Sequence, residues 1–219
     1  MKGILEDNGI TVSGDTSTGQ APETAFFEVA AIESPPMAEI ISKMLLGSDN
    51  TTAEILLKSL SARVERPGTS RGGATVVAES LRLLGFDMER VEVRDASGLD
   101  YGNRVTCKLL TELLDSGPHS NELKQSLPVT GKSGTLRKRL LDTPAEGLVS
   151  GKTGSLNGVI SLAGTVDTIS DRSLSFAFVT NFEGDKARIK YLHDQILLEM
   201  IKYPQGPSVD LLKPVLRNG

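Results

Sequence analysis

Residues 151–166, GKTGSLNGVISLAGTV, constrain this chain more than any other stretch. From Val159 onward, β-branched and other apolar residues interleave with small ones, the composition of a buried strand. At the head of that strand stand a cation, Lys152, a hydroxyl, Thr153, and Gly154, which removes a side chain where a ligand backbone would lie close. A Lys-Thr-Gly so placed can hold a carboxylate and offer main-chain N–H groups to a neighbouring carbonyl. A phosphate cradle over residues 147–153 fails on spacing: the P-loop needs four residues between its glycines and then a helix, whereas here three are followed by a strand-like run. Alone, the tripeptide also reads as a surface turn with solvated Lys and Thr.

At 219 residues the chain is long enough to bury a core without staples. Lys+Arg number 24 against Asp+Glu 28, a net charge of -4 that argues against a nucleic-acid partner, which would favour a basic face. Cys107 is the sole cysteine, so no intrachain disulfide forms; its helix-like surroundings suggest a small core residue. No window approaches a bilayer-spanning apolar length, and the start, MKGILEDNGI, lacks the apolar core of a signal peptide. With no metal-ligand cluster and no dinucleotide loop, no cofactor is expected.

Taken in order, residues 2–10 read as a helix closing at Asn8-Gly9, and residues 26–32 as a short strand. After Pro35-Pro36, Met37, Ile41, Met44 and Leu45 recur at helical spacing until Gly47. Ser48-Asp49-Asn50 precedes a second apolar helix over 53–60 and by itself reads as its N-cap. Residues 63–73, rich in Arg and Gly, read as a loop before a helix over 74–84. Val91 and Val93 suggest a short strand, residues 94–99 a polar turn, and residues 105–114 an amphipathic helix. His119 reads as a surface residue. Residues 126–150 read as mostly irregular, and Leu174, Phe176 and Phe178 as a second strand in antiparallel hairpin with the first. Ile189, Leu192, Ile196, Leu197 and Met200 mark a closing helix over about 186–202, with His193 on its surface.

Two short motifs gain force from their order. Ser48-Asp49-Asn50 is followed about a hundred residues later by Lys152-Thr153-Gly154, the second and third signatures of penicillin-binding proteins and class A β-lactamases. Together with the flanks SPPMAEIISKMLLGSDNTTAEILLK, VRDASGLDYGNRVT and LPVTGKSGTLRKRL, they closely resemble the D-Ala-D-Ala carboxypeptidase/endopeptidase family, the low-molecular-mass, class C penicillin-binding proteins of peptidase type S13. The likeness runs from about Leu5 to Phe182. The family's first signature, Ser-x-x-Lys, holds its acyl-enzyme nucleophile; no serine here has lysine three residues later. The expectation is therefore the carboxy-terminal part of one penicillin-binding domain, lacking the nucleophile, with residues 1–35 as a lead-in and 203–219 as a tail.

The resemblance implies an α/β (α+β) penicillin-binding, serine-β-lactamase-like fold, an antiparallel sheet flanked by helices. It also implies roles. Ser48 would relay a proton to the leaving amine and Asn50 would hydrogen-bond the substrate backbone. Lys152 would supply positive potential, and Thr153 would bind the terminal carboxylate of a D-Ala-D-Ala stem peptide. Gly154 would leave room for the ligand, and the N–H of Ser155 would be one oxyanion donor. The implied partners are peptidoglycan stem peptides, β-lactams, and either the missing amino-terminal segment or a second copy; the implied location is the cell envelope, outside the cytoplasmic membrane. Two alternatives stay open: a pseudoenzyme that binds without cleaving, and an unrelated α/β domain whose motifs are caps and turns.

Overall fold

The computed structural model describes residues 2–20, 31–64 and 67–207. The chain divides into two units, residues 1–35 and 36–219. The first contains the short helix α1 (Lys2–Asp7), which closes as expected: Asn8 donates its side-chain amide to the Ile4 carbonyl and Gly9 turns the chain at φ +80°. The strand expected over 26–32 falls mostly outside the described residues.

The second unit opens with helix α2 (Met37–Gly47), whose first turn follows Pro36, a residue already set at a helix-compatible φ. Helices α3 (Asn50–Val64) and α4 (Ser70–Leu83) pack together so closely that a Cβ on Gly73 would lie 2.1 Å from the Leu57 carbonyl oxygen. The loop read over 63–73 is shorter than expected, because residues 63–64 close α3 and residues 70–73 open α4. Its glycines serve helix contact, and Thr69 starts α4 by accepting a hydrogen bond from the Gly72 N–H at 3.0 Å. The strand expected at Val91 and Val93 reduces to one bridge, Glu92 with Arg104. Helices α5 (Cys107–Ser116) and α6 (Ser120–Gln125) follow. Cys107 is exposed, not buried: it is the first residue of α5, ahead of Leu109 and Leu114, the residues that α5 buries.

The described residues form a three-stranded antiparallel sheet in the order β1 (Val149–Leu156), β2 (Val159–Asp167), β3 (Ser173–Asn181). Here the structure departs from the sequence reading in one consequential way: Lys152, Thr153 and Gly154 do not head the strand that begins at Val159 but lie inside the strand before it. Leu156 pairs with Val159, so Asn157-Gly158 is a two-residue turn, with Gly158 at φ +75°. The second hairpin, β2 with β3, is as expected.

Helix α7 (Lys186–Met200) crosses one face of this sheet. The core between them contains Leu136, Val149, Leu162, Val166, Phe176, Leu197 and Ile201, each no more than 4% exposed. Full burial of such a side chain contributes about 1.5–3 kcal/mol. The buried stripe of α7 runs through His193 and Leu197 and on to Ile201; of the expected face, Leu197 is buried and Ile189 and Met200 are half-buried, but Leu192 and Ile196 are exposed. His193 is accordingly a core residue at 2% exposure, not a surface one; its Nε2 lies 2.9 Å from the Thr180 hydroxyl. Beneath the sheet edge, the irregular segment 126–148 is ordered by Thr130. Fully buried, it donates its hydroxyl to the Ala145 carbonyl at 2.9 Å while its N–H donates to the Val149 carbonyl.

Candidate active site

The site is built where α2 ends and the edge of β1 opens. Helix α2 closes with Ser48 N–H donating to the Leu45 carbonyl and Asp49 N–H to the Met44 carbonyl, the Schellman pattern. That pattern puts Ser48 in the left-handed region, φ 53° and ψ 49°, where glycine is the unstrained choice. The turn aims the Ser48 side chain at β1. The three residues of the Ser-x-Asn motif then part company. Asp49 is the true cap of α3: its Oδ1 accepts the Thr51 N–H at 2.9 Å and the Thr52 N–H at 3.2 Å, and its Oδ2 accepts the Thr52 hydroxyl at 2.7 Å. These bonds, led by the Thr52 hydroxyl, hold its carboxyl below the usual carboxylate range. Asn50 opens α3, exposed, and among the described residues its side-chain amide makes no hydrogen bond.

Across from Ser48, the Lys152 ammonium donates to Ser48 Oγ at 2.7 Å and to the Thr153 carbonyl at 2.8 Å. No carboxylate pairs with Lys152 among the described residues. Its burial therefore goes uncompensated and pushes its pKa below the usual 10.5. Because Ser48 Oγ accepts from Lys152, its own O–H is free to point away from the lysine. The arrangement is a hydroxyl polarised by an ammonium whose proton is held less tightly than in water. Thr153 shares a hydrogen bond of 3.0 Å with the Thr135 hydroxyl, in the 3-10 turn Gly134–Leu136.

The edge of β1 is covered over half its length. Gly151 N–H donates to the Pro128 carbonyl at 2.8 Å and the Val149 carbonyl accepts from Thr130 N–H at 2.9 Å. Main-chain groups of an antiparallel strand alternate direction, so Gly151 and Val149 fix the odd-numbered residues as the outward ones. Thr153 and Ser155 therefore present their N–H groups to the open half of the edge. Gly154 faces β2, where a Cβ would lie 2.2 Å from Ser161 Oγ; its small size first serves this cross-strand neighbour.

A second loop flanks the edge. Asp95 accepts the N–H groups of Gly98, Leu99 and Asp100 at 2.8–2.9 Å, and Glu54 of α3 accepts those of Ala96 and Ser97 at 2.8 and 3.0 Å. Burial works to raise both carboxyls, but the hydrogen bonds prevail and hold them below their ordinary values. The Tyr101 hydroxyl then reaches the Asn157 carbonyl at 3.3 Å, tying this loop to the β1–β2 turn.

The structure thus joins Ser48 and Lys152, sets Thr153 beside them, and places Ser155 on the same edge. It leaves Asn50 without a partner among the described residues. Sequence reasoning missed Glu54 as an anchor. It also missed Thr135, Lys138 and Lys190, which line a cavity of about 420 Å³ with Thr153 and Ser155; no spacing in the sequence pairs these distant segments.

Comparison with known proteins identifies the family and the fold. The model of the D-Ala-D-Ala carboxypeptidase 3 (S13) family matches residues 1–198. The D-alanyl-D-alanine carboxypeptidase of Actinomadura sp. is 36% identical over 209 residues, 91% of this chain and 38% of that protein. Carboxypeptidase DacB of Mycolicibacterium smegmatis is 36% identical over 169 residues, 73% of this chain and 37% of that protein. Penicillin binding protein 4 of Haemophilus influenzae, solved with a β-lactam, superposes with a TM-score of 0.77 at 26% identity, covering 91% of this chain and 49% of that one. The chain spans less than half the length of each of these relatives. Its antiparallel sheet flanked by helices is the penicillin-binding fold, and with a family match over nine-tenths of its length the chain belongs to the D-Ala-D-Ala carboxypeptidase (S13) family.

Proposed function

We propose that this chain supplies the substrate-holding half of a serine-type D-Ala-D-Ala carboxypeptidase or endopeptidase acting on peptidoglycan stem peptides in the cell envelope. The observation that carries the reading is the 2.7 Å contact between Lys152 Nζ and Ser48 Oγ, two signatures 104 residues apart meeting at an open strand edge.

Acyl transfer needs an attacking nucleophile, a pair of donors for the oxyanion, and an acid for the leaving amine. In this reading a stem peptide lies along the free half of β1. Thr153 and the positive potential of Lys152 hold its terminal carboxylate. Asn50, exposed and with no protein partner among the described residues, is available to the peptide backbone. Ser155 N–H donates to the scissile carbonyl as charge develops on its oxygen, and Gly154 keeps the strand low beneath the ligand. Ser48 gives its proton to the departing nitrogen and recovers one from Lys152, whose depressed pKa eases that transfer. The nucleophile is not among these groups. No serine of the chain is followed three residues on by lysine, so the chain by itself does not turn over. Loss of a nucleophile costs several orders of magnitude in rate even where binding groups persist.

Intact-mass measurement after incubation with a labelled penicillin tests this. The expected result is no adduct on this chain, with an adduct forming on a Ser-x-x-Lys segment of the same family supplied in trans. A stable adduct on the chain alone, abolished by Ser48→Ala, overturns the assignment of Ser48 as a proton relay. The lack of Ser-x-x-Lys also favours a second reading, a peptide- or β-lactam-binding pseudoenzyme. That reading requires tight β-lactam binding without covalent capture, with or without the added segment.

A further inference from the structure

Helix α4 and the segment 91–94 enclose a cavity of about 680 Å³, and no residue lining it belongs to the site of Ser48, Lys152, Thr153 and Ser155. One wall is a single helix face: Arg71, Ala74, Thr75, Ala78, Glu79 and Arg82 recur at i, i+3, i+4, i+7, i+8 and i+11. Ala74 and Ala78 keep the middle of that face low, and an arginine stands at each end.

The other wall is an unfinished strand. Glu92 exchanges both main-chain hydrogen bonds with Arg104, at 2.9 and 2.8 Å, and Arg94 N–H donates on the same side, to Asn103 Oδ1 at 2.9 Å. Main-chain direction alternates along such a segment, so Val93 turns its N–H and C=O, and Val91 its C=O, away from Arg104. Among the described residues none of these three groups makes a hydrogen bond. Side chains alternate as well, Val91 and Val93 to one face, Glu92 and Arg94 to the other. All four residues line the cavity, so it meets the segment at the edge between those faces, where the open groups lie. An unpaired edge of this kind is a template for another chain.

Charge selects the chain. Arg94 is spent on Glu92, whose Oε1 accepts from its Nε at 2.8 Å and lies 2.7 Å from its Nη2. Arg71, Glu79 and Arg82 are exposed and outside any ion pair among the described residues. The lining thus sets three arginines against two glutamates, positive at both ends of α4 with Glu79 between them. Three turns of helix part Arg71 from Arg82, about 16 Å, the reach of about five residues of extended chain.

We propose that this groove takes an extended acidic segment of a partner protein. The segment adds to the edge at Val93 as a further strand. It sets two carboxylates four residues apart, hence on one face, against Arg71 and Arg82, with an uncharged residue between them opposite Glu79.

The full chain, uniformly labelled with 15N, is titrated with the capped heptapeptide acetyl-Thr-Glu-Val-Thr-Val-Glu-Thr-amide, and the Val93 amide is followed. The expected result is a saturable shift of that amide, with binding about fivefold weaker in Arg71→Gln/Arg82→Gln, the scale of two exposed charge pairs, and restored in Arg71→Lys/Arg82→Lys. Binding should also weaken towards about 1 M salt, where the screening length falls to about 3 Å. Two further copies of the peptide test the strand pairing without altering the protein, one N-methylated at its third and fifth residues, the other at its second, fourth and sixth. A strand offers these two sets of N–H groups to opposite edges, so one copy should lose about tenfold in affinity and the other should keep it. Equal losses for the two copies, equal binding of a peptide with lysine in place of both glutamates, or no saturable shift at millimolar peptide overturns the proposal. Shifts confined to the Thr153 and Ser155 amides also overturn it, and assign the peptide to the edge of β1.

Discussion

Lys152 Nζ donates to Ser48 Oγ at 2.7 Å, and Ser48 is held for it in a left-handed backbone conformation, φ 53°. A serine there is strained by roughly 1–2 kcal/mol relative to the right-handed well, and glycine is not. Ser48→Ala and Ser48→Gly both delete the hydroxyl, so the difference between them isolates the strain. Chemical denaturation should show Ser48→Gly more stable than Ser48→Ala by about 1 kcal/mol. Equal stabilities would mean that the turn is not left-handed in solution.

Thr153 carries the carboxylate in the proposed reading, and among the described residues its hydroxyl bonds only to another hydroxyl, on Thr135. Thr153→Val keeps the shape and removes that hydrogen bond. Binding of a D-Ala-D-Ala peptide, followed by amide shifts, should weaken by about tenfold, while stability falls by only about 1 kcal/mol. Unchanged affinity would place the carboxylate elsewhere.

Gly164 of β2 sits directly opposite Gly151, and a Cβ on it would lie 1.9 Å from the Ser150 carbonyl oxygen and 2.5 Å from the Gly151 Cα. Backbone atoms cannot rotate out of the way as a side chain can. Gly164→Ala should therefore push β1 away from β2 and destabilise the fold by about 3 kcal/mol. The comparison is Gly184→Ala: no atom lies within 4 Å there, and the expected loss reflects only its φ of +98°. Similar losses for the two would show that crowding between β1 and β2 is not what matters.

His193 gives the fold a pH dependence. Burial lowers its pKa below 6.5, the nearby Arg139 lowers it further, and Asp194 partly opposes them. The unfolded chain therefore takes up a proton near pH 6.5 that the folded chain refuses, so stability falls as pH drops below about 6.5. Glu54 and Asp95 have lowered pKa values, so the stability they add is complete above about pH 4.5 and is lost only below it. Between those limits the decline belongs to His193. Denaturant midpoints across that range should flatten in His193→Gln, and an unaltered slope would assign the decline to another group.

Much of this architecture could be read beforehand because it is locally encoded. Pro36 before α2, Thr106 before α5 and the alternation of Leu174, Phe176 and Phe178 are signals within a turn or a strand. The motif pair was legible for the same reason, as fixed tripeptides in a fixed order. The β1–β2 hairpin was encoded too, in Asn157-Gly158, but the strand character of residues 149–156 is weak because two glycines and four polar residues dilute it. On α7, Leu197 is buried as expected, but hydrophobicity alone also prefers Leu192 and Ile196, which are exposed, whereas the sheet takes in His193, bonded to Thr180. Nothing local announces that Lys190 stands across a cavity from Lys138. That proximity is a product of tertiary packing alone.

Because residues 128–130 already occupy the edge of β1 as far as Gly151, and the turn begins at Asn157, only Thr153 and Ser155 remain as outward ladder positions. At about 3.4 Å per residue, that leaves a docking ledge roughly two residues of strand long. In the proposed reading the ledge measures its guest: an extended peptide would register its last peptide bond there and little more. Discrimination of longer chains must then come from what lies at the two ends of the ledge, not from the ladder itself.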